Sequence, residues 1–236
     1  MRPVICLITP PLVRLKPDTT CVASGFSRIE HEYVASGFSR TDLIDRIGAA
    51  ARAGVQLAQI RLPGLDGRPL TEIVQAAVAA VRGTRTRVLV NDRLDVALAA
   101  GADGVHLRAD SPPAARIRAV APRGFLVGRS VHGVEEAQAA AGGGGLDYLM
   151  YGTLFATDSK PGAQATGPEG LAAVCAAVPL PVLAVGGITP ARLGAVAAAG
   201  ADGFAAIGLF AHGAPAALHE IIGQAVRAFD TPASVP

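Results

Sequence analysis

Eight short runs of β-branched and aliphatic residues alternate along this chain with Ala-rich stretches of helical period. A strand buried on both faces reads as a continuous apolar run, and parallel strands need a crossover, usually a helix, to return the chain. The runs are Val4–Thr9, Val55–Arg61, Arg87–Val90, Gly104–Leu107, Phe125–Gly128, Leu146–Tyr151, Pro181–Val185 and Gly203–Gly208. Between and after them lie Asp42–Ala53, Pro69–Arg82, Leu94–Ala100, Pro112–Val120, Val134–Ala141, Gly167–Val178, Pro190–Ala199 and Pro215–Ala228. In Pro69–Arg82 the apolar stripe is explicit: Leu70, Ile73, Val74, Ala77, Val78 and Val81 share one face. The pattern predicts an α/β protein, a single (β/α)8 TIM barrel spanning 1–236 with a tail at 230–236. No G-x-G-x-x-G follows an early strand, which disfavours a doubly wound dinucleotide-binding sheet.

An internal echo supports the repeat. Ala100-Gly101-Ala102-Asp103-Gly104-Val105 and Ala199-Gly200-Ala201-Asp202-Gly203-Phe204 use one helix-to-strand junction twice. The segment after the first strand breaks the rhythm. Residues 10–40 are rich in Ser, Pro and Gly without a clear period, and Val22–Arg28 recurs letter for letter as Val34–Arg40. Duplication at such short range reads as a low-complexity, disordered insertion. The alternative is an active-site lid, because a loop there emerges on the C-terminal face of a barrel.

Composition excludes several partners. Hydrophobic residues make up 50% with no Trp, and the net charge of +2 is spread without a basic run, so neither nucleic acid nor a membrane surface is an expected partner. The apolar stretch Leu171–Ala191 is broken by Pro179, Pro181 and Gly186-Gly187 and reads as helix, turn and strand rather than a span. Cys6, Cys21 and Cys175 have no metal or disulfide spacing, and with no signal peptide the expected location is cytoplasmic. Oligomeric state stays open, a homo-oligomer included.

In a barrel, chemistry sits where strands end. Gln59 and Arg61 close the second run, and a guanidinium there suits a phosphate or carboxylate. Asn91 and Asp92 form a hard oxygen pair for Mg²⁺, or Asp92 caps the next helix. Asp110 is the nearby second carboxylate, with capping before Pro112-Pro113 as its other reading. His106 ends the fourth run, and Ser130 and His132 follow the fifth, where His132 is the natural general acid or base. Thr157, Ser159 and Lys160 put two hydroxyls and a cation in one loop. Gly186-Gly187 and Gly208 expose bare backbone N–H groups at neighbouring strand ends, an anion cradle.

Taken in order, seven motifs resemble the thiamine phosphate synthase / TenI superfamily over residues 42–228. They are Gln59-Ile60-Arg61, Val90-Asn91-Asp92-Arg93, Gly101-Ala102-Asp103-Gly104-Val105-His106-Leu107, Gly128-Arg129-Ser130-Val131-His132, Thr157-Asp158-Ser159-Lys160, Val185-Gly186-Gly187-Ile188 and Gly200-Ala201-Asp202-Gly203. The resemblance implies a thiazole phosphate as ligand, its phosphate on the backbone of Gly186, Gly187, Ile207 and Gly208, with Thr157, Ser159 and Lys160 as substrate contacts. In the synthase branch it implies that Gln59, Arg61 and Asn91, with Mg²⁺ on Asp92 and Asp110, hold hydroxymethylpyrimidine diphosphate. Two departures stand out. Pro63 occupies the Lys position of Q-x-R-x-K, and Leu107 is followed by Arg108-Ala109-Asp110 instead of G-Q-x-D. Both fall on diphosphate and metal contacts, so the expectation favours the TenI-like thiazole tautomerase, with His132 moving the proton and no cofactor. The alternatives are the Mg²⁺-dependent synthase and a non-catalytic phosphate-binding barrel.

Overall fold

A computed structural model describes residues 3–10, 13–14, 33–34, 39–157, 162, 164–211 and 217–230. Numbering only the barrel strands, β1 is Val4–Ile8, β2 Leu57–Ile60, β3 Arg87–Asn91 and β4 Gly104–Leu107. The other four are β5 Leu126–Val131, β6 Tyr148–Tyr151, β7 Val182–Val185 and β8 Gly203–Ala206. Each strand pairs in parallel with its neighbours, and β1 pairs with both β2 and β8, so the sheet closes. This is the expected TIM barrel.

The helices are α1 Arg40–Ala53, α2 Gly67–Ala80, α3 Leu94–Ala100, α4 Ala114–Arg118, α5 Val134–Gly142, α6 Gly167–Ala177, α7 Leu193–Ala198, the one-turn α8 Gly208–Ala211 and α9 Ala217–Asp230. The helix expected over Pro112–Val120 is shorter because Pro113 takes the N-cap position of α4. Thr189 precedes a 3₁₀ turn, Pro190–Arg192, and its side chain makes no capping bond. The insertion boundary also moves. Ser39, from the second copy of the duplicated heptapeptide, is the N-cap of α1, in a capping box with Asp42. Val13–Arg14 pairs antiparallel with Tyr33–Val34, and the remainder of 11–38 and the tail 231–236 lie outside the described residues.

Alternation along each strand separates two cores. Outward residues such as Val88, Val90, Val105, Val127, Leu149 and Phe204 pack beneath the helices. Inward ones, Cys6, Ile8, Leu57, Leu89, Tyr148, Met150, Leu183 and Ala205, fill the lumen. Glycine on the inward positions is a matter of space. A Cβ on Gly128 would lie 2.1 Å from the Tyr148 ring, and one on Gly203 would lie 2.0 Å from the Val4 carbonyl.

The repeated junction has a physical function. The Asp103 carboxylate accepts the Val88 N–H at 2.7 Å, while its own N–H donates to the Val88 carbonyl at 2.8 Å. Asp202 grips Val182 in the same two-point way, at 2.9 Å for both bonds. Asp147 does so to Val127, and the Gln56 amide oxygen does so to Ile5. Every second strand is thus entered through a residue that clamps the start of the strand before it, four times around the base. The echo therefore decodes fully: a buried Ala, a clamping Asp, and a Gly that the lumen requires.

A hydrogen bond to a charged acceptor contributes about 1.5–3 kcal/mol. Asp103→Ala should lower the unfolding free energy in urea by about that amount with the m-value unchanged. Val120→Ser, at a side chain 63% exposed, should stay within about 0.5 kcal/mol.

Candidate active site at the barrel mouth

Because all eight strands are parallel, their C-terminal ends open on one face, and the inward residues of their last turns form its floor. Gln59, Asn91, His106 and Ser130 hold these positions. Gln59 is 2% exposed; its Nε2 donates to Asn91 Oδ1 at 3.0 Å, and its Oε1 has no partner among the described residues. A buried acceptor left in that state favours a ligand that brings a donor. Thr9, fully buried, fixes the start of the next loop by accepting the Arg61 N–H at 2.8 Å.

Within this floor His106 is buried, 1% exposed, between two hydroxyls. Its Nδ1 is 2.9 Å from Tyr148 Oη and its Nε2 is 2.9 Å from Ser130 Oγ. Burial, reinforced by the charges of Arg129 and Arg61, pushes its pKa down to about 3, so the imidazole is neutral at ordinary pH. Burial likewise drives the Tyr148 phenol well above its usual range.

Next to it, two carboxylates share one cation. Arg108 Nε lies 3.3 Å from Asp92 Oδ2 and 2.9 Å from Asp110 Oδ1, and its Nη2 is 2.9 Å from Asp110 Oδ2. Ser111 Oγ donates to the second Asp92 oxygen. Asp92 has φ 59°, the one non-glycine in the left-handed region among the described residues, and it does not cap α3, whose N-cap position is Arg93. Nor does Asp110 cap α4. Among the described residues no three His, Cys, Asp or Glu side chains cluster as a complete metal site. Two converging carboxylates nevertheless suit Mg²⁺, which commonly takes one or two from the protein and the rest from substrate phosphates and water. The loop bearing Asp110 is held from behind by Arg129, 8% exposed, which donates to the carbonyls of Arg108, Ala109, Ser111 and Pro112.

Across the mouth, Gly186 and Gly187 have φ 106° and 62°. The loop after β6 lies on them, Leu154 N–H donating to the Val185 carbonyl and Phe155 N–H to that of Gly186, at 2.9 and 3.1 Å. A Cβ on Gly187 would fall 2.6 Å from the Ala156 carbonyl. Arg192 closes the corner, bonded to the Gly187 carbonyl at 2.7 Å with its guanidinium 4.6 Å from the centre of the Phe155 ring. Ile207 and Gly208 follow β8 alongside, and a Cβ on Gly208 would meet nothing within 4 Å. Thr157 ends the first described stretch of the β6 loop; Ser159 and Lys160 lie outside the described residues. His132 stands at the rim, its side chain 49% exposed, its backbone N–H on Glu136 Oε2 at 2.7 Å and its Nδ1 3.4 Å from that oxygen.

The geometry thus brings together Gln59 with Asn91, Ser130 with His106, and Asp92 with Asp110. It leaves the half-exposed His132 beside Glu136 at the rim. Residues that motif reading leaves without a role are Tyr148, Ser111 and Arg129. The signals for them are faint: an arginine inside an otherwise apolar strand, and a glycine opposite a tyrosine.

Comparison with known proteins places these residues in context. The family described as thiamine monophosphate synthase matches residues 33–210. The chain is 46% identical over 185 residues to a thiamine-phosphate synthase of Methanoculleus marisnigri, covering 76% of this chain and 83% of that protein. It is 40% identical over 191 residues to the thiamine-phosphate synthase of a Roseiflexus species, covering 78% and 80%. Among solved structures, thiamine phosphate pyrophosphorylase from Pyrococcus furiosus superposes with a TM-score of 0.73 at 29% identity, over 95% of this chain and 96% of that one.

The buried imidazole predicts a pH signature. Its folded pKa, about 3, lies below the ordinary 6.5, so the folded barrel binds fewer protons there than the unfolded chain. Its contribution is complete above pH 6.5 and is lost as pH falls toward 3. Between pH 7 and pH 5 the protein should lose roughly 2 kcal/mol from this group. In urea unfolding, the stability that His106→Gln loses between pH 7 and pH 5 should be smaller than the wild-type loss by about that amount.

Proposed function

The chain belongs to the thiamine monophosphate synthase family, and on that premise we propose that it is the synthase itself, coupling hydroxymethylpyrimidine diphosphate to a thiazole phosphate with release of pyrophosphate. The convergence of the Asp92 and Asp110 carboxylates on Arg108 carries this reading, because it brings together two hard oxygen donors that would suit Mg²⁺, for which a proton-transferring tautomerase has no use. The synthase names of relatives at 46% and 40% identity support it over the tautomerase that the departures at Pro63 and Arg108 favour.

In this reaction the bond between the pyrimidine methylene carbon and the diphosphate oxygen breaks, its electron pair leaves with pyrophosphate, and the thiazole nitrogen bonds to the carbon. The protein's task is to place the two rings and to receive negative charge. Gly186, Gly187, Ile207 and Gly208 would hold the thiazole phosphate through backbone N–H groups, beside Thr157, Ser159 and Lys160. Gln59 Oε1, buried and lacking a donor, would accept from the pyrimidine's amino group, with Asn91 fixing the amide. Arg61 would face the diphosphate, and Arg108 would supply a cation that Pro63 does not. Mg²⁺, when held by Asp92 and Asp110, would neutralise charge on the departing pyrophosphate. Excluding water from the floor is the work of Leu89, Met150 and Tyr148, all buried in the lumen.

Purified protein should release pyrophosphate from the two substrates only with Mg²⁺ present. Asp92→Asn should cost about 100-fold or more in kcat, the scale of losing one preorganised electrostatic contact. Absence of pyrophosphate, together with isomerisation of a thiazole carboxylate phosphate that His132→Ala abolishes, would replace this reading with the tautomerase.

A further inference from the structure

Tyr148, His106 and Ser130 form a chain of two 2.9 Å bonds from the lumen to the floor of the mouth. Its direction follows from where protons can go. Tyr148 is 5% exposed, and among the described residues its hydroxyl has one hydrogen-bond partner, His106 Nδ1. A buried phenol that donates to nothing costs about 1–3 kcal/mol. Tyr148 therefore donates, Nδ1 accepts, and the imidazole proton resides on Nε2. Nε2–H then donates to Ser130 Oγ, and the serine's own proton is turned away from the histidine. In the opposite direction Ser130 would donate inward, Nδ1–H would occupy the tyrosine oxygen, and the phenolic proton would be stranded in the lumen.

We infer that Tyr148 and His106 are positioning residues that fix Ser130 as a one-way hydrogen-bond donor at the barrel mouth, so that the substrate atom resting on it is a hydrogen-bond acceptor rather than a donor. Half-buried Ser130 is the only link of the chain that reaches the mouth. The space for the chain is provided by Gly128, where any side chain would collide with the Tyr148 ring. That the acceptor belongs to a substrate of the synthase rests on the synthase reading; the direction of the chain does not.

The two can be tested apart. Nitrogen-15 NMR of the full-length protein labelled in histidine, with His106 identified by its absence in His106→Gln, reports the tautomer without any substrate. A protonated Nε2 and a bare Nδ1 are expected in the free protein. A proton on Nδ1 with Nε2 bare overturns the proposal. In the pyrophosphate-release assay, Ser130→Ala should lose about tenfold in kcat/KM, and Ser130→Thr, which keeps the hydroxyl, should recover most of it. Full activity in Ser130→Ala would overturn the presentation of the donor. An inactive wild-type protein with Nε2 protonated would sink the synthase reading and leave the chain's direction standing.

Discussion

Closing eight short parallel strands leaves a ring of strand starts whose N–H groups sit at the edge of a dry interior, and an unpaired buried N–H is costly. Gln56, Asp103, Asp147 and Asp202 meet this constraint with one geometry, each gripping both the N–H and the carbonyl of a residue on the strand before. The clamps set strand register from the base upward. Register in turn decides which residues point inward at the top, since a slip of one residue would send Gln59, Asn91, His106 and Ser130 outward under the helices. The site at one end of the barrel thus depends on the four side chains at the other.

Between clamp and mouth the lumen changes character. Leu57, Leu89 and Leu183 make it apolar and closed, and it then becomes polar through Tyr148 and His106 before opening at Gln59, Asn91 and Ser130. Tyr148 fits where Gly128 leaves room, which gives the buried imidazole a hydroxyl on each side. Outside the strands, Arg129 does the equivalent for the loop after β4: four carbonyls on one guanidinium hold Asp110 in reach of Asp92. Preorganised polar groups over a rigid floor are what a charge-separating reaction needs.

Much of this is legible in the amino-acid order, for identifiable reasons. Apolar runs and helical stripes are local, so the eight strands and the barrel can be read directly, and the Ala-Asp-Gly echo marks two of the four clamps. Asp147 and Gln56 escape that reading because they clamp in the same way without the surrounding motif. The His106–Tyr148 contact escapes it because it joins β4 to β6 across an intervening strand and depends on a glycine between them. Spacing leaves capping and metal binding at Asp92 both open; the structure removes the cap, since Asp92 has φ 59° and its carboxylate lies on Arg108 instead of on the helix start. The departure at Arg108 looks like erosion in a motif. In three dimensions it places a cation between two carboxylates.

That last point is the centre of the account: the proposed Mg²⁺ site is Asp92 with Asp110, whose carboxylates both pair with Arg108 in this structure. Diffraction from crystals grown with Mn²⁺ and inorganic pyrophosphate would test it most directly, through the anomalous signal of the metal. The account predicts a single strong peak bridging Asp92, Asp110 and pyrophosphate oxygens, with Arg108 swung onto the pyrophosphate. A metal bound elsewhere at the mouth, with Arg108 still joined to both carboxylates, would contradict it.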